Sequence, residues 1–426
     1  MKKKLALALI LVLVLTLTAA AAPSASARQD VTITWWHINT NEPEGAYWEQ
    51  VANDYMAMNP DVNIEITVLE NDAFKQRLVT VMQAGDPPDL FQSWGGGVLW
   101  EFVEAGMCRD ISDELDGDWY DSFSTPAAVE LFAYDGGYYG VPWTWGAVGM
   151  FYNKALFEEA GLDPDDTPET WDELLETVQV LKDAGITPIA LGEGEKWPGH
   201  FWWVYLAIRL GGEEAFLDAY NRDGSFADEP FVLAGEYLQE LVELEPFPEG
   251  FIGLNYGDQA GMMGDGRAAM ELMGHWAPGA QAALSESGGI GDDLGWFPFP
   301  AIPEGEGNPD DVLGGGDGFA VGINAPDEAI EFLQYITSVE VQRAAAEIWV
   351  VPTVEGADEV LANDPIMAQV LEARNEAPYF QLYYDQFLPP AVADAVLDSV
   401  QALFAGEMSP EDVAMMIEDE AFFTLE

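Results

Sequence analysis

The chain has 426 residues, of which 49% are hydrophobic, so it can bury the core of two domains or of one two-lobed body. Its 76 Asp and Glu stand against 15 Lys and Arg, which gives a formal net charge of −61 at pH 7. This balance excludes nucleic acid and anionic substrates as partners, because phosphate recognition needs clustered cations. Salt screens repulsion of this kind, so we expect a high-salt habitat.

The N-terminus has the pattern of a secretory signal peptide. Three lysines at positions 2–4 precede an apolar run over 5–15, and Ala25-Ser26-Ala27 supplies the small residues of a cleavage site. We therefore predict a signal peptide over 1–27 and export to the periplasm or the exterior of the cell envelope. The signal contains no cysteine for a lipid anchor, and the single Cys108 cannot form an intramolecular disulfide.

The next hundred residues alternate between the strand period and the helix period. Val31–Trp35 and Val62–Val68 alternate apolar and polar residues, which predicts two strands. Apolar residues at helical spacing over Trp48–Met56 and Phe74–Met82 predict two helices. Leu90-Phe91 is a brief third strand. This order is typical of an α/β fold with a mostly parallel sheet flanked by helices.

Later segments carry weaker signals. Thr167 and Pro168 predict the cap and first turn of a helix, and Ile186–Leu191 predicts a strand. Gly314–Gly318 lacks the spacing of a dinucleotide-binding loop and is interpreted as a tight turn before a strand. Pro365–Glu426 is predicted to be mostly helical.

Trp94 is the first candidate ligand contact. It follows the third strand, and ligands of open α/β sheets bind outside the carboxyl ends of strands. Gly95–Gly97 comes next without a nearby cation, so we interpret it as room for a sugar ring beside the backbone rather than as a phosphate loop.

The sequence offers no catalytic or metal motif. His-Glu-x-x-His, Cys-x-x-Cys, Gly-x-Ser-x-Gly and the phosphate loop are all missing, so we expect a protein that is not an enzyme and has no cofactor. Among 76 acids, paired carboxylates at any spacing occur by chance. Asn221–Ser225 resembles the start of a calcium loop but lacks its sixth-position glycine and its terminal Glu, so we predict a polar turn.

Tryptophans near strand ends, together with polar side chains, suit a sugar. Aromatic faces stack on sugar rings, while carboxylates, amides and imidazoles bind hydroxyls. The residues that fit are Trp94, Trp145, Trp197 and Trp276 with Asn39, Glu42, His200 and Asp317. An aromatic cage beside acids also suits a quaternary ammonium compound such as betaine, and a secreted glycosidase is a further alternative.

Eight short stretches carry a family resemblance in a fixed order along the chain. They are Thr32–Trp36, Ala84–Leu90, Gly140–Pro142, Phe151–Lys154, Pro168–Leu174, Gly264–Met270, Gly274–Trp276 and Gly318–Val321. With the signal peptide, they resemble the extracellular solute-binding proteins of carbohydrate ABC importers, the group that includes maltose-binding protein. The resemblance implies a two-lobed periplasmic-binding-protein fold, a neutral sugar in the cleft between the lobes, and docking of a monomer on an ABC permease.

The resemblance also implies boundaries and contacts. It places residues 28–142 and 303–338 in the first lobe, and 143–302 and 339–426 in the second. Gly146 replaces an acid seen in some members, and the pattern around Trp36-His37 and Ser93-Trp94 resembles members that bind xylobiose. The complete set of predicted ligand contacts is Trp36, His37, Asn39, Glu42, Ser93, Trp94, Trp145, Trp197, His200, Trp202, Trp276, Asp317 and Tyr384.

Overall fold

A computed structural model of the protein describes residues 31–425, so the predicted signal peptide lies outside the described residues. The first part of the chain alternates strands and helices, as its periodicity predicts. Its elements are β1 (Val31–His37), α1 (Glu44–Met58), β2 (Val62–Val68), α2 (Asn71–Ala84), β3 (Leu90–Ser93), α3 (Gly96–Glu104), α4 (Ser112–Leu115), α5 (Pro126–Glu130), β4 (Ala133–Tyr134) and β5 (Gly137–Tyr138).

The second part begins with the longest strand and is dominated by helices. Its elements are β6 (Gly140–Asn153), α6 (Lys154–Ala160), α7 (Trp171–Asp183), α8 (Trp197–Tyr220), α9 (Glu229–Glu243), α10 (Tyr256–Gly264), β7 (Met270–Gly274), α11 (Ala277–Leu284), β8 (Leu294–Phe297), β9 (Val312–Val321), α12 (Asp327–Ile336), α13 (Val339–Ala346), α14 (Pro365–Glu376), β10 (Phe380–Leu382), α15 (Tyr384–Phe387), α16 (Pro390–Phe404) and α17 (Pro410–Thr424). Within residues 31–425, no helix is both long and apolar enough to cross a membrane.

Three predicted elements differ from the structure. The cap of α7 is Thr170 rather than Thr167, because Thr170 and Glu173 form a reciprocal capping box. The segment 186–191 is not a regular strand and has only an isolated bridge between Ile189 and Met270. Gly314–Gly318 is not a tight turn but the middle of β9. Its glycines admit close neighbours, since a Cβ on Gly315 would lie 2.4 Å from the Tyr383 ring.

One sheet runs through the molecule in the order β2-β1-β3-β9-β6-β7, with β10 beside β9 and β8 beside β6. The pairs of β1 with β2 and with β3 are parallel. β9 is antiparallel to β3 and β6, and β6 is antiparallel to β7 and β8. The parallel part confirms the α/β prediction for the first hundred residues.

Two strands, β6 and β9, belong to both halves of the molecule. Val141 of β6 and Phe319 of β9 pack in a core with β1, α1 and α12. Further along the same strands, Met150 and Leu313 pack in a second core with α7–α11, α16 and α17. The chain therefore folds as two α/β lobes joined through β6 and β9. Five residues after the predicted crossing at 338 pack in the first core: Val341, Ala345, Val350, Val354 and Ala357.

Candidate functional site

A cleft of about 1300 Å³, including its open mouth, lies where β6 and β9 pass from one core to the other. Its floor contains Trp143 and Thr144 of β6 and Asp317 of β9, and Thr144 pairs directly with Asp317 across the two strands. The pairing shifts register between Pro142 and Thr144. A bulge of this kind re-aims side chains, so the two neighbours Trp143 and Thr144 both border the cleft.

The first-lobe wall is built from the segments that follow β1 and β3. Asn39, Glu42 and Glu44 lie between β1 and the first turn of α1, and Trp94 directly follows β3. Lys75 of α2 places its Nζ 5.0 Å from the centre of the Trp94 ring. This wall combines an aromatic face with hydrogen-bonding groups at the carboxyl ends of parallel strands, as expected for an α/β ligand site.

The second-lobe wall is mainly aromatic. Trp197 begins α8, Tyr256 begins α10, and Trp276 follows β7. The ring centre of Trp197 lies 4.9 Å from that of Tyr256 and 6.3 Å from that of Trp276. Tyr383 completes the group at 6.4 Å from Trp276. Aromatic faces thus border the cleft on both sides, the arrangement that can stack on the two faces of a ring-shaped ligand.

Two carboxyl groups of the cleft, one at its floor and one on the first-lobe wall, hold their protons unusually strongly. Burial raises the pKa of Asp317 to about 7. The pKa of Glu44 also rises to about 7, first through burial and then through the charge of Asp317. Near neutral pH such groups exist in both protonation states. Together they can therefore donate hydrogen bonds to ligand hydroxyls as well as accept them.

Lys75 connects the two walls. Its Nζ lies 3.7 Å from Oδ2 of Asp385, whose side chain is buried in α15 on the other side of the cleft. Gln386 Nε2 also donates to this Oδ2 at 2.6 Å. The ammonium group of Lys75 thus forms an ion pair with Asp385 of the second lobe and also lies over the ring of Trp94 in the first lobe.

Burial lowers the pKa of each histidine of the described chain. Burial lowers the pKa of His275 to about 3 and that of His37 to about 4. His275 borders the cleft, and its Nε2 lies 3.0 Å from Thr144 Oγ1. Burial also lowers the pKa of His200. Residues 31–425 contain no cluster of three or more His, Cys, Asp or Glu side chains suited to hold a metal ion.

Six of the predicted ligand contacts border the cleft. They are Asn39, Glu42, Trp94, Trp197, Trp276 and Asp317. They come from five separate segments of the chain, so the fold brings together residues that are far apart in sequence.

The other seven do not border the cleft, and three of them lie around β1 and β3. Trp36 packs its half-buried ring under Arg77, with 4.8 Å between the guanidinium carbon and the ring centre. His37 is fully buried, and its Nδ1 lies 3.3 Å from the backbone N of Asn39. Ser93 Oγ accepts from the N–H of Gly95 at 3.1 Å. These residues support the wall from behind.

The remaining four are core residues of the two lobes. Trp145 stacks on Phe380, with 4.6 Å between ring centres. Trp202 packs in the second core, whereas its neighbour Phe201, one helical turn after Trp197, borders the cleft. Tyr384 is buried there too, while its neighbour Tyr383 borders the cleft. His200 is fully buried, and its Nε2 lies 3.4 Å from Asp385 Oδ1.

The structure gives new explanations for two glycine positions, Gly95–Gly97 and Gly146. Gly95–Gly97 makes room for protein backbone rather than for a ligand, because a Cβ on Gly97 would lie 2.4 Å from the carbonyl oxygen of Leu388. A Cβ on Gly96 would lie 2.8 Å from the carbonyl oxygen of Gln386. At Gly146 a Cβ would lie 2.1 Å from His275 Nδ1, so an acidic side chain cannot fit there with His275 in this position.

Several bordering residues were not predicted. They are Glu44, Glu70, Lys75, Trp143, Thr144, Tyr256, Trp349, Tyr383 and Asp385. Tyr256 had a usable signal, because it follows the capping residue Asn255 at the start of a helix. Trp143 and Tyr383 had no usable signal. Each has another aromatic residue one or two positions away, Trp145 and Tyr384, which is an equally good candidate for a ligand contact from the sequence.

The class of protein follows from the fold and the cleft: a two-lobed binding protein whose ligand site lies between the lobes. Residues 39–343 match the family model of the bacterial extracellular solute-binding proteins, and the chain belongs to this family. The fold predicted from the resemblance is confirmed by a solved structure from work on xylan utilization by the thermophilic bacterium Caldanaerobius polysaccharolyticus. Its sequence is 29% identical to this chain, and the structural alignment covers 91% of this chain and 99% of that protein with a TM-score of 0.85.

Sugar-binding members are among the relatives. The diacetylchitobiose binding protein DasA of Streptomyces coelicolor is 26% identical over 399 residues, covering 91% of this chain and 88% of that protein. The maltotriose-binding protein of Pyrococcus abyssi is 28% identical over 340 residues, covering 78% of this chain and 69% of that protein. The chain therefore belongs to the same family as these sugar-binding proteins, the family that its motifs resemble.

Proposed function

We propose that the exported protein captures a short neutral oligosaccharide of xylobiose-like size between its lobes and delivers it, as a monomer, to the membrane subunits of an ABC permease. The observation that carries this proposal is the presence of tryptophans on both walls of one cleft. Trp94 stands on the first-lobe wall, and Trp197 and Trp276 on the second. Flat apolar faces on both sides suit a pyranose ring, which is apolar on its faces and polar at its edge.

The polar groups of the cleft support a ligand rich in hydroxyls. Asn39 lies beside Glu44 and Trp48, with its amide oriented to accept from Trp48 Nε1 at 2.9 Å and to donate to Glu44 Oε1 at 3.3 Å. Glu44 and Asp317 supply both hydrogen-bond donors and acceptors near neutral pH. A hydroxyl group needs such a mixture, since it donates one hydrogen bond and accepts others.

Relatives support the size of the ligand. One binds diacetylchitobiose, and a solved neighbour comes from work on xylan utilization. With the maltotriose-binding relative, these names favour a short oligosaccharide as the ligand. The acids of the cleft, set against the single bordering lysine of the described chain, disfavour a carboxylate-bearing sugar such as a uronic acid.

Isothermal titration calorimetry of the purified secreted form tests the proposal. The panel contains xylose, xylobiose, N,N′-diacetylchitobiose, maltose, glucuronic acid and glycine betaine, each titrated in buffer of high NaCl concentration. We expect micromolar or tighter binding of at least one neutral disaccharide. Binding of betaine alone would instead establish a compatible-solute receptor, and no heat with any sugar would refute the proposal.

Hydrolysis is tested on the same preparation. A solute-binding protein returns bound xylobiose intact, so we expect no reducing ends to be released from the disaccharide over an extended incubation. Steady release of xylose would identify a glycosidase and would overturn the receptor assignment.

A further inference from the structure

Trp349 is an aromatic residue of the cleft that the predicted contacts do not include. It follows α13 in the segment that packs on the first core, and it borders the cleft. Its side chain is 37% exposed, in contrast to Trp197 at 9% and Tyr383 at 6%. Trp349 therefore stands at the mouth of the cleft, whereas the other two belong to its interior.

The indole reaches toward the second lobe. A Cβ placed on Gly279, in the first turns of α11, would lie 3.8 Å from Trp349 Cε3. An added Cβ would therefore be in van der Waals contact with the indole, which places the ring close to α11 of the second lobe. Trp276 precedes the same helix α11, which places the contact beside a tryptophan of the opposite wall.

The backbone at Trp349 is strained. Its φ is 67°, in the left-handed region that disfavours side chains with a Cβ. The N–H of Trp349 bonds to the carbonyl of Ala346, and that of Val350 to the carbonyl of Ala345. This pair of bonds is the Schellman helix ending, whose left-handed position is usually glycine.

Other helix ends with the same two hydrogen bonds carry glycine at this position, whereas α8 and α9 end with the polar residues Arg222 (φ 66°) and Glu245 (φ 49°) in the left-handed region. The ends of α2, α3, α6 and α16 place Gly85, Gly106, Gly161 and Gly406 at this position with the same two hydrogen bonds. At α13 a large apolar residue takes this position and remains substantially exposed, so neither backbone preference nor core packing accounts for it. Strain of this kind persists at functional positions because the side chain is needed there.

We propose that Trp349 is the stacking platform for the sugar unit nearest the mouth of the cleft, and that it thereby selects ligands of two or more sugar units over monosaccharides. This inference rests on the proposed function. The inner aromatic group of Trp94, Trp197 and Trp276 holds the first unit. Trp349 covers the next unit, which would otherwise be open to solvent.

Calorimetric titration of wild type and Trp349→Gly tests the inference. Two ladders of sugars, each a monomer with its dimer and trimer, are used in parallel: xylose, xylobiose and xylotriose, and N-acetylglucosamine with its β-linked dimer and trimer. For the ladder that wild type binds, we expect higher affinity for the dimer or trimer than for the monomer. Trp349→Gly should lower disaccharide affinity on the order of tenfold, because the apolar area that one sugar face buries on the indole is lost, and change monosaccharide affinity less than about twofold. Trp349→Phe should retain part of the preference.

The stability of the variant separates binding from folding. Glycine suits the left-handed position, so the thermal midpoint of Trp349→Gly should equal or exceed that of wild type. Phe423→Ala is the matched control, because Phe423 is 78% exposed on α17 and does not border the cleft. Its affinities should match those of wild type.

The two proposals fail differently. If neither ladder binds wild type, the sugar-receptor function is refuted and the subsite with it. If sugars bind but the ratio of dimer to monomer affinity is the same in wild type and Trp349→Gly, the role of Trp349 is refuted and the receptor function stands.

Discussion

Glu271 offers a direct test of the electrostatics beneath the second-lobe wall. It lies in β7, is completely buried, and accepts hydrogen bonds from Gln259 Nε2 at 2.9 Å and Gln281 Nε2 at 2.7 Å. These bonds tie α10 and α11, which border the cleft, to the strand that leads into Trp276. Substitution Glu271→Gln keeps the shape of the side chain and removes its charge.

The expected effect follows from the pKa of this carboxyl group. Burial raises it from 4.5 to about 7 in the folded protein, against the partly offsetting bonds from the two glutamines. Between these pH values the folded state binds more protons than the unfolded state, so this group makes the free energy of unfolding fall as pH rises. A difference of about 2.5 in pKa corresponds to about 3 kcal/mol. Above pH 7 the loss is complete.

Glu271→Gln is neutral at every pH, so it escapes this loss. The Gln281 amide can rotate so that its oxygen accepts from the new amide group, which keeps the three side chains paired. We therefore expect the variant to gain stability relative to wild type as pH rises from 5 to 8, by up to about 3 kcal/mol.

Urea denaturation at fixed ionic strength, repeated across this pH range, measures the difference. Contributions from other buried acids, such as Asp317 and Glu44, are present in both proteins and cancel. Glu286→Gln, an exposed position after α11, serves as the control, and its curve should run parallel to that of wild type. A constant offset between Glu271→Gln and wild type from pH 5 to 8 would refute the reasoning.

Three further outcomes are expected. Arg209 is buried and donates hydrogen bonds to the carbonyl oxygens of Phe299, Pro300, Asn308 and Asp311. Arg209→Met should therefore lower the free energy of unfolding by about 4 kcal/mol, roughly 1 kcal/mol for each lost hydrogen bond. A decrease of less than about 1 kcal/mol would contradict this prediction. Trp276→Ala should weaken sugar binding on the order of tenfold in calorimetry, because the apolar area buried on the indole is lost, and unchanged affinity would remove it from the site. The net charge of −61 should make the thermal midpoint rise with NaCl; a flat response would contradict the high-salt interpretation.

Much of the first lobe could be predicted from the sequence, because its signals are local. The alternation in Val62–Val68 and the helical spacing over Phe74–Met82 each specify one element, and both elements form where predicted. Trp94 was placed at the end of a strand by the same reasoning, and it borders the cleft. Local signals are readable because a strand or helix repeats its side-chain directions at a fixed period.

Elements that depend on distant partners were harder to predict. The glycine run in β9 looks like a turn, yet it is a strand because Tyr383 and Phe132 pack against backbone that lacks side chains. The segment 186–191 has the composition of a strand, but its hydrogen bonds to Pro246, Ala269 and Met270 are too scattered to form a regular strand pair. Strand pairing is a property of two segments, so one segment cannot reveal it.

The sequence by itself determined the charge of the protein, its rich supply of tryptophans and the order of its family motifs. The tertiary structure decided which aromatic residues meet in the cleft. A shift in strand register places Trp143 and Thr144 in the cleft and leaves Trp145 in the core. Of the two adjacent tyrosines, Tyr383 borders the cleft and Tyr384 is buried in the second core. The effect of the Asp317 charge on the pKa of Glu44 likewise exists only once β1 and β9 share a sheet. Side-chain direction at such points depends on non-local strand register, which no local pattern encodes.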